Sequence, residues 1–362
     1  MGRGIIIAAA ACYLVVLGCV VGAARSTNRP AAPAVAQTGR STEAAAVRLP
    51  LRGIAIQVQR VDWMDKYEKS IDEVAEMGAD TVELIIDTRQ ENGASAKIWL
   101  DQRITATIPQ LERLIKRAKQ RNLRVVLMPI VLLDRPRGTE WRGKISPSSD
   151  NGGWNAWWKS YREMITHFAY IAEGNGVDVL VVGSELVSSE RMVEQWRETI
   201  AQVRRIYSGL LTYSSNWDHY HAVAFWDDLD LIGMNSYWKL GRDHTATIEE
   251  MTDRWQEIQS DLLEFQTKIG KPIYFTEVGW CSLQNAAHAS WDYTRTNLPV
   301  DLDLQTRLYQ AFFKSWHGND ALGGFAFWEW PAEGGGPEDK GYTPKGKPAE
   351  EVLREWLNRP WH

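Results

Sequence analysis

The chain has 362 residues, of which 44% are hydrophobic and 24% are charged. These values are ordinary for a globular protein, and the length allows one large α/β barrel or two smaller domains. The net charge of −5 argues against nucleic acid as the main partner. The unusual feature is the 18 tryptophans, because indole rings either stack on ligands such as carbohydrates or fill a core.

The first 25 residues have the composition of an export signal, with Arg3 ahead of an apolar stretch. A loose lipoprotein cleavage sequence, VLGC, would lipidate Cys19, whereas the apolar stretch 4–24 is long enough for an uncleaved membrane anchor. Cleavage at the end of this segment would instead release the protein. All three alternatives predict an exported protein, secreted or tethered to the cell surface. Residues 26–47, with many Ala, Pro, Thr and Ser, are expected to form a flexible tether.

The three cysteines are Cys12, Cys19 and Cys281. Because two of them lie in the leader, we expect no internal disulfide. The spacing of cysteines and histidines does not resemble a zinc site, so no metal is predicted.

From residue 50 onward, short apolar runs alternate with amphipathic helical patterns. Most runs are continuously apolar, as expected for parallel strands buried on both faces. The predicted strands are Gly53–Gln59, Thr81–Asp87, Arg124–Leu132, Val177–Glu185, Leu211–Ser215, Leu229–Ser236, Pro272–Glu277 and Gly323–Trp330. The predicted helices are 65–77, 108–121, 154–173, 190–206, 221–227, 249–268, 303–317 and 347–358.

Eight strands, each followed by a helix, predict a single-domain (β/α)8 TIM barrel of the α/β class over residues 48–362. The alternative is an open doubly wound sheet. That fold is disfavoured because no glycine-rich nucleotide turn follows the first strand.

Two glutamates stand where such a barrel has its active site, at the carboxyl ends of strands. The fourth predicted strand ends on Glu185 and the seventh ends on Glu277. A buried charge is costly unless it is paired or used, so each alone could form an ion pair with a neighbouring Arg or Lys. Two carboxylates across one barrel mouth are what glycoside hydrolysis requires: a proton donor and an ionised partner. The pair therefore indicates a glycosidase.

Six segments give the chain a more specific resemblance. They are GSEL (183–186), YSGLLTYSSNWDHY (207–220), FWDDLDLIGMNSYW (225–238), PIYFTEVGW (272–280), FAFWEW (325–330) and GYTPKGKPAEEVL (341–353). Through them, residues 50–357 resemble glycoside hydrolase family 113, the β-mannanases of clan A. The resemblance implies that Glu185 is the acid/base, that Glu277 is the nucleophile and that the mechanism is retaining. It also implies an endo-β-1,4-mannanase that acts on mannan or glucomannan. No cofactor is implied, and we expect a monomer.

Candidate substrate-binding residues surround this pair. By resemblance to the clan, Trp328 in the eighth strand would form the floor of the cleavage subsite, although Trp330 shares its face. Tyr237, after the sixth strand, could hydrogen-bond the nucleophile. Ser184 precedes the acid/base, where many clan A enzymes place an Asn that binds the sugar 2-hydroxyl. Further candidates for hydroxyl or subsite contacts, each with core or loop packing as the alternative, are Asn216, Trp217, Asn235 and Trp280.

Two long loops at the same barrel face are expected to carry binding residues. The loop after the third strand contains Trp141 and Trp154. The loop 281–300 contains His288, Trp291 and Tyr293. At the end of the second strand, Asp87 and Arg89 are expected to form a structural salt bridge, with orientation of a glutamate by Arg89 as the alternative.

Two other functions remain open at this point. One is a clan A hydrolase for another β-glycan, since the same carboxylates would serve and only the subsite contacts would differ. The other is a non-catalytic glycan-binding barrel at the cell surface. Retention of both glutamates favours an enzyme, because a binding protein does not need the pair.

Overall fold

The computed structural model describes residues 47–362. The expectations for the leader, for most of the tether and for Cys12 and Cys19 lie outside these residues. Within the described part, no helix is both long enough and apolar enough to cross a membrane.

Eight parallel strands form a barrel. They are β1 (Leu51–Val58), β2 (Thr81–Gln90), β4 (Arg124–Leu133), β5 (Val179–Ser184), β6 (Leu210–Ser215), β7 (Ile232–Asn235), β8 (Ile273–Val278) and β9 (Leu322–Phe327). Strand β1 pairs in parallel with both β2 and β9, which closes the sheet. The short β3 (Ile98–Trp99) adds to β2 as an antiparallel edge near its carboxyl end. The predicted (β/α)8 barrel is therefore confirmed.

Helices follow most of the strands on the outside of the barrel. They are α1 (Met64–Glu76), α2 (Ile108–Gln120), α3 (Gly153–Gly174), α4 (Val187–Glu190), α5 (Val193–Arg204), α6 (Ile248–Ile269), α7 (Leu302–Trp316) and α8 (Pro348–Leu357). The helix predicted at 221–227 is wrong. That segment forms two short 3-10 turns, because Trp226 folds back and donates from Nε1 to the carbonyl of Tyr220 at 2.9 Å.

Helix α6 shows how local sequence sets the element boundaries. Thr247 accepts a hydrogen bond from the backbone N–H of Glu250 (3.2 Å), and the Glu250 carboxylate accepts one from the backbone N–H of Thr247 (2.8 Å). Such a capping box satisfies two of the free N–H groups of the first turn and contributes about 1 kcal/mol. The helix ends at Ile269 and is capped by Gly270, whose φ of 74° is readily adopted only without a side chain.

Two packed layers position the mouth of the barrel. Alternate strand residues fill the interior; Ala55, Ile85, Val181 and Tyr274 are examples. The larger layer lies between the strands and the helices and contains most of the fully buried indole rings: Trp157, Trp158, Trp196, Trp226, Trp255, Trp280 and Trp316. Much of the high tryptophan content therefore serves the core.

Candidate active site

A cavity of about 760 Å³ opens at the carboxyl ends of the barrel strands. Glu185, directly after β5, and Glu277, near the end of β8, both line it. The structure thus brings the two strand-end glutamates to one cleft. Several aromatic rings from the surrounding loops complete the cavity wall.

The Glu277 carboxylate is held by one oxygen only. Its Oε2 accepts a hydrogen bond from the Tyr237 hydroxyl at 2.7 Å. Its Oε1 has no hydrogen-bond partner among the described residues. Burial and the neighbouring Glu185 raise the pKa of Glu277 to about 7, whereas Arg142 and the Tyr237 hydrogen bond oppose this rise. The side chain is therefore fixed in orientation with one oxygen free to react.

Glu185 has partners on both oxygens. Arg142 Nη2 lies 2.6 Å from Oε2, and Asn235 Nδ2 donates to Oε1 at 2.5 Å. The backbone of Glu185 is in the left-handed region, with φ of 54°. Its N–H donates to the carbonyl of Ser214 at 2.8 Å, which helps hold this conformation. A non-glycine residue there costs about 1–3 kcal/mol, and such strain is concentrated at functional sites.

Arg142 is the main site residue that the sequence analysis did not identify. It begins a 3-10 turn, Arg142–Lys144, in the loop between β4 and α3, and its side chain is 16% exposed. Burial alone would lower the pKa of Arg142, but the charges of Glu185 and Glu277 outweigh burial and raise it. The guanidinium is thus a cation shared electrostatically by both glutamates.

Asn235 has a different role from the one expected. It lies in β7, where its register partner is Glu277 of β8. Its amide nitrogen donates to Glu185, and its amide oxygen accepts from the backbone N–H of Trp217 at 2.8 Å. Because protein groups occupy both ends of the amide and the residue is 1% exposed, Asn235 positions Glu185 rather than offering itself to a sugar hydroxyl.

Comparison with known proteins agrees with this geometry. The sequence model of glycoside hydrolase family 113 matches residues 55–347. The chain belongs to glycoside hydrolase family 113. The resemblance noted from the sequence is therefore confirmed, and family membership favours an enzyme over a binding barrel. A search of curated proteins finds no match.

Solved structures of the family are similar over nearly their whole length. The GH113 β-mannanase AaManA from Alicyclobacillus acidocaldarius, solved with ManMIm, is 31% identical with a TM-score of 0.76, covering 86% of this chain and 98% of that one. A GH113 β-1,4-mannanase, solved alone and as a complex, is 25% identical with a TM-score of 0.77, covering 86% and 100%. A β-glucuronidase from Bifidobacterium dentium is similar in fold only. It is 12% identical with a TM-score of 0.56, covering 86% of this chain and 47% of that one.

The hydrolase has three tryptophans near strand ends, and only one of these three lines the cavity. Trp328 is half-buried and lines the cavity. Trp330 points away from it and donates from Nε1 to Glu73 at 2.7 Å. The expectation that Trp280 lines a subsite is wrong, because its fully buried ring packs against Tyr309 of α7 at a centroid distance of 5.6 Å.

Three other predicted contacts of the hydrolase lie outside the cavity lining. Trp217 stacks against Trp291 at a centroid distance of 6.1 Å. Asn216 Oδ1 and Ser184 Oγ are buried and have no partner among the described residues. Substrate contact through Asn216, Trp217 or Ser184 stays a prediction.

The long loops of the hydrolase supply part of the cavity wall. Trp141, Trp291 and Tyr293 line it. Trp154 instead packs edge-on against Trp157 at 5.3 Å, and His288 is exposed away from the lining. Both long loops therefore contribute to the cavity wall, although not every aromatic or histidine side chain on them does.

The second strand of the hydrolase ends on the expected salt bridge, with Arg89 Nη2 3.1 Å from Asp87 Oδ2. Burial raises the pKa of Asp87 to about 6, although the nearby Arg89 opposes this. Further lining residues that were not predicted include Gln57, Gln59, Glu329 and Tyr342. Gln57 and Gln59 are polar residues on alternate positions at the end of the first predicted strand, a pattern that could have identified them.

Among residues 47–362, no group of three or more His, Cys, Asp or Glu side chains is arranged to hold a metal ion.

Proposed function

We propose that this glycoside hydrolase is a retaining endo-β-1,4-mannanase that cleaves mannan or glucomannan. Glu277 is the nucleophile and Glu185 is the acid/base. The observation that carries the proposal is the pairing of these carboxylates in one cleft, with one oxygen of Glu277 anchored by Tyr237 and the other unpartnered. The mannan substrate is supported by the solved β-mannanases that are 25–31% identical to the chain.

In the first step, the free Oε1 of Glu277 attacks the anomeric carbon of the sugar at the cleavage site. The bond between that carbon and the glycosidic oxygen breaks, and the carboxyl proton of Glu185 passes to the departing oxygen. The product is a glycosyl-enzyme ester and a shortened glycan. Tyr237 keeps the attacking carboxylate aimed, because its hydroxyl donates to the other oxygen.

In the second step, Glu185 is ionised and takes a proton from water. The water oxygen attacks the anomeric carbon, the ester bond to Glu277 breaks, and the sugar leaves with its original anomeric configuration. A sugar hydroxyl in place of water would give transglycosylation. Arg142 and Asn235 hold the ionised Glu185 through its two oxygens during this stage.

The first step requires opposite protonation states, with the transferable proton on Glu185 and a charged Glu277. Burial and the neighbouring Glu185 raise the pKa of Glu277, whereas Arg142 and the Tyr237 hydrogen bond oppose this rise. Arg142 and Tyr237 therefore favour the ionised carboxylate that the attack needs.

The cavity wall suits neutral sugar rings. Trp328 forms one face, and Trp141, Trp291 and Tyr293 reach the cleft from the two long loops. Aromatic rings pack against the apolar faces of sugars, while nearby amides and hydroxyls bond sugar hydroxyls. This combination supports a polysaccharide substrate over a small charged metabolite.

Release of reducing ends from β-mannan by the full-length protein tests the proposal, with xylan and cellulose measured alongside. We expect release from mannan to exceed release from the other two polymers. Glu277→Gln should abolish it, because an amide cannot act as the nucleophile. The matched control is Glu338→Gln, an exposed glutamate outside the cavity, which should keep the parent rate.

Equal release from all three polymers would contradict mannan specificity. Normal release by Glu277→Gln would contradict the assignment of the nucleophile. Release only from xylan or cellulose would leave the carboxylate pair in place but would identify another β-glycan as the substrate.

We also propose that the protein acts outside the cytoplasmic membrane, secreted or tethered to the cell surface. The export-type leader and the VLGC sequence support this, and a polymeric substrate would be met outside the cell. Fractionation of cells expressing the parent and Cys19→Ser distinguishes the alternatives. Lipid anchoring predicts that only the parent stays with the membrane, whereas a fully cytoplasmic parent would contradict export.

A further inference from the structure

The acid/base Glu185 follows an irregularity in the sheet. Strand β5 pairs with β6 so that Val181 lies opposite Thr212 and Ser184 lies opposite Ser214, which leaves two residues of β5 facing one residue of β6. Such a β-bulge bends the strand and re-aims the side chains that follow it, and bulges are over-represented next to active sites. The direction of the Glu185 side chain therefore depends on how the chain is held after this bulge.

Two consecutive residues of β6 hold the backbone at this turn. The N–H of Glu185 donates to the carbonyl of Ser214 at 2.8 Å, and the N–H of Leu186 donates to the hydroxyl of Tyr213 at 2.9 Å. Glu185 has a φ of 54°, a conformation that persists only where the surrounding contacts enforce it. The first contact joins backbone groups, whereas the second depends on the side chain of Tyr213.

Glu190 fixes the direction of that hydroxyl. The Tyr213 hydroxyl donates to Glu190 Oε1 at 2.9 Å, so its lone pairs are left for the N–H of Leu186. Glu190 Oε2 lies 3.2 Å from His219 Nδ1, which gives the carboxyl a second partner. Burial raises the pKa of Tyr213 well above its ordinary value, so the hydroxyl keeps the proton that it donates.

These contacts form a closed ring around the turn. Glu190 is the last residue of α4, which begins directly after Leu186, so the segment that follows the acid/base carries the group that orients Tyr213. Both the Tyr213 ring and the Glu190 side chain are buried, and the ring packs edge-on against Trp196 at 5.1 Å and Phe225 at 5.5 Å. Because water does not reach these groups, losing one hydrogen bond leaves a buried polar group without a partner.

We propose that Tyr213 and Glu190 are positioning residues for the acid/base: they hold the left-handed turn at Glu185 and so place its carboxyl for proton transfer to the glycosidic oxygen. This inference rests on the proposed function, in which Glu185 is the acid/base. Neither side chain lines the active-site cavity, so both act through the backbone of Glu185 and Leu186. Misplacing a reacting group by about 1 Å can cost about a hundredfold in rate.

Tyr213→Phe tests the inference, because it removes the acceptor for the Leu186 N–H and keeps the ring in the core. The measurement is kcat/KM of the full-length protein for mannohexaose and for an activated aryl β-mannoside. A natural leaving group needs the proton of Glu185, whereas an activated one departs without it. We expect kcat/KM for mannohexaose to fall at least about tenfold and that for the aryl mannoside to fall less than about threefold.

Tyr207→Phe is the matched control. Tyr207 is also buried, and its hydroxyl donates to the carbonyl of Val177 at 2.9 Å, ahead of β5 and at the opposite end of the strand from Glu185. This variant loses a buried hydrogen bond of the same kind as Tyr213→Phe does. Neither kcat/KM value should change, because the lost bond does not hold the turn at the acid/base.

Two substitutions of Glu190 separate the hydrogen bond from packing. Glu190→Leu has no oxygen to accept the Tyr213 proton, and it should show the same selective loss on mannohexaose as Tyr213→Phe. Glu190→Gln keeps an accepting oxygen and should recover most of the activity that Glu190→Leu loses. Equal losses in the two variants would overturn the role of Glu190. If Tyr213→Phe does not fold, this pair of variants decides the same question.

Hydrogen–deuterium exchange gives a readout that does not depend on catalysis. Exchange of a backbone amide reports how readily its hydrogen bond opens. Peptides that contain Leu186 should exchange at least about tenfold faster in Tyr213→Phe than in the parent and in Tyr207→Phe. Unchanged exchange at Leu186 would overturn the inference, because the hydroxyl would then not hold the turn.

The outcomes separate this inference from the proposed function when Glu185→Ala is measured on the same two substrates. A selective loss in Glu185→Ala, with equal losses or none in Tyr213→Phe, overturns the inference and leaves the acid/base assignment in place. Equal losses on both substrates in Glu185→Ala contradict the acid role. In that case, or if mannohexaose is not hydrolysed, the exchange at Leu186 decides whether Tyr213 holds the turn.

Discussion

Replacing Arg142 by Gln should move the acid limb of the pH–activity profile to higher pH. The guanidinium lies 2.6 Å from Glu185 and also acts on Glu277, whose pKa it lowers. In the proposed mechanism Glu277 must be ionised to attack, so we expect kcat/KM to rise with pH through the pKa of Glu277 in the free enzyme. Removing the positive charge raises that pKa further above its present value of about 7.

The magnitude follows from the charge. A neighbouring opposite charge lowers a carboxyl pKa by about 1–3 units. Because the direct partner of Arg142 is Glu185, we expect the lower end of this range for Glu277, a shift of about 1 unit. One unit corresponds to about 1.4 kcal/mol. At a fixed pH below the limb, kcat/KM of Arg142→Gln should therefore fall about tenfold beyond any loss that is independent of pH.

The assay is kcat/KM for mannohexaose between pH 4 and 9 with parent, Arg142→Gln and Arg142→Lys. Lysine keeps the charge but loses the planar fork of the guanidinium. Its acid limb should stay near that of the parent, even if its rate is lower. The comparison separates the charge of residue 142 from its shape.

Two results would refute the reasoning. An acid limb that stays in place in Arg142→Gln would show that the guanidinium does not act on the ionisation of the nucleophile. An equal shift in Arg142→Gln and Arg142→Lys would show that packing of the loop, rather than charge, causes the effect.

Three further substitutions test other parts of the site. Tyr237→Phe removes a hydrogen bond to a charged group, worth about 1.5–3 kcal/mol, so kcat/KM should fall roughly tenfold to a hundredfold; an unchanged rate would argue against anchoring of Glu277. Glu185→Ala should slow the hydrolysis of mannan far more than that of activated aryl mannosides, because activated leaving groups need no acid. Azide should restore turnover of the aryl mannosides. Equal losses on both substrates would contradict the acid role. Because its ring is fully buried, Trp280→Ala should lower the free energy of unfolding by about 3–5 kcal/mol in denaturant titrations. It should leave the preference for substrate chain length unchanged. A changed length preference in the folded variant would indicate that Trp280 does line a subsite.

The barrel and its two glutamates were predictable because they rest on regular rules. Parallel strands buried on both faces give continuous apolar runs, and active sites of (β/α)8 barrels lie at the carboxyl ends of strands. Those two rules place Glu185 and Glu277 in one cleft without any contact information. The hydrogen bond of Tyr237 to Glu277 followed from its position after the neighbouring strand.

The site features that the sequence did not predict depend on loop conformation and on the direction in which side chains point. Arg142 reaches Glu185 from a loop that also contains Arg135 and Arg137, and no periodicity distinguishes the three. Trp280 comes just after β8, where the chain turns toward α7 and carries the ring into the core. Asn235 contacts Glu185, but its two hydrogen bonds to protein groups are long-range contacts that the sequence does not encode locally.

The most direct test of the proposed mannanase is the anomeric form of the first product. Proton NMR of mannohexaose during the first minutes of hydrolysis by the full-length protein distinguishes the two possible configurations before mutarotation mixes them. A double displacement through Glu277 and Glu185 predicts that new reducing ends appear first as the β-anomer. Initial formation of the α-anomer, or no hydrolysis of mannohexaose, would contradict the account.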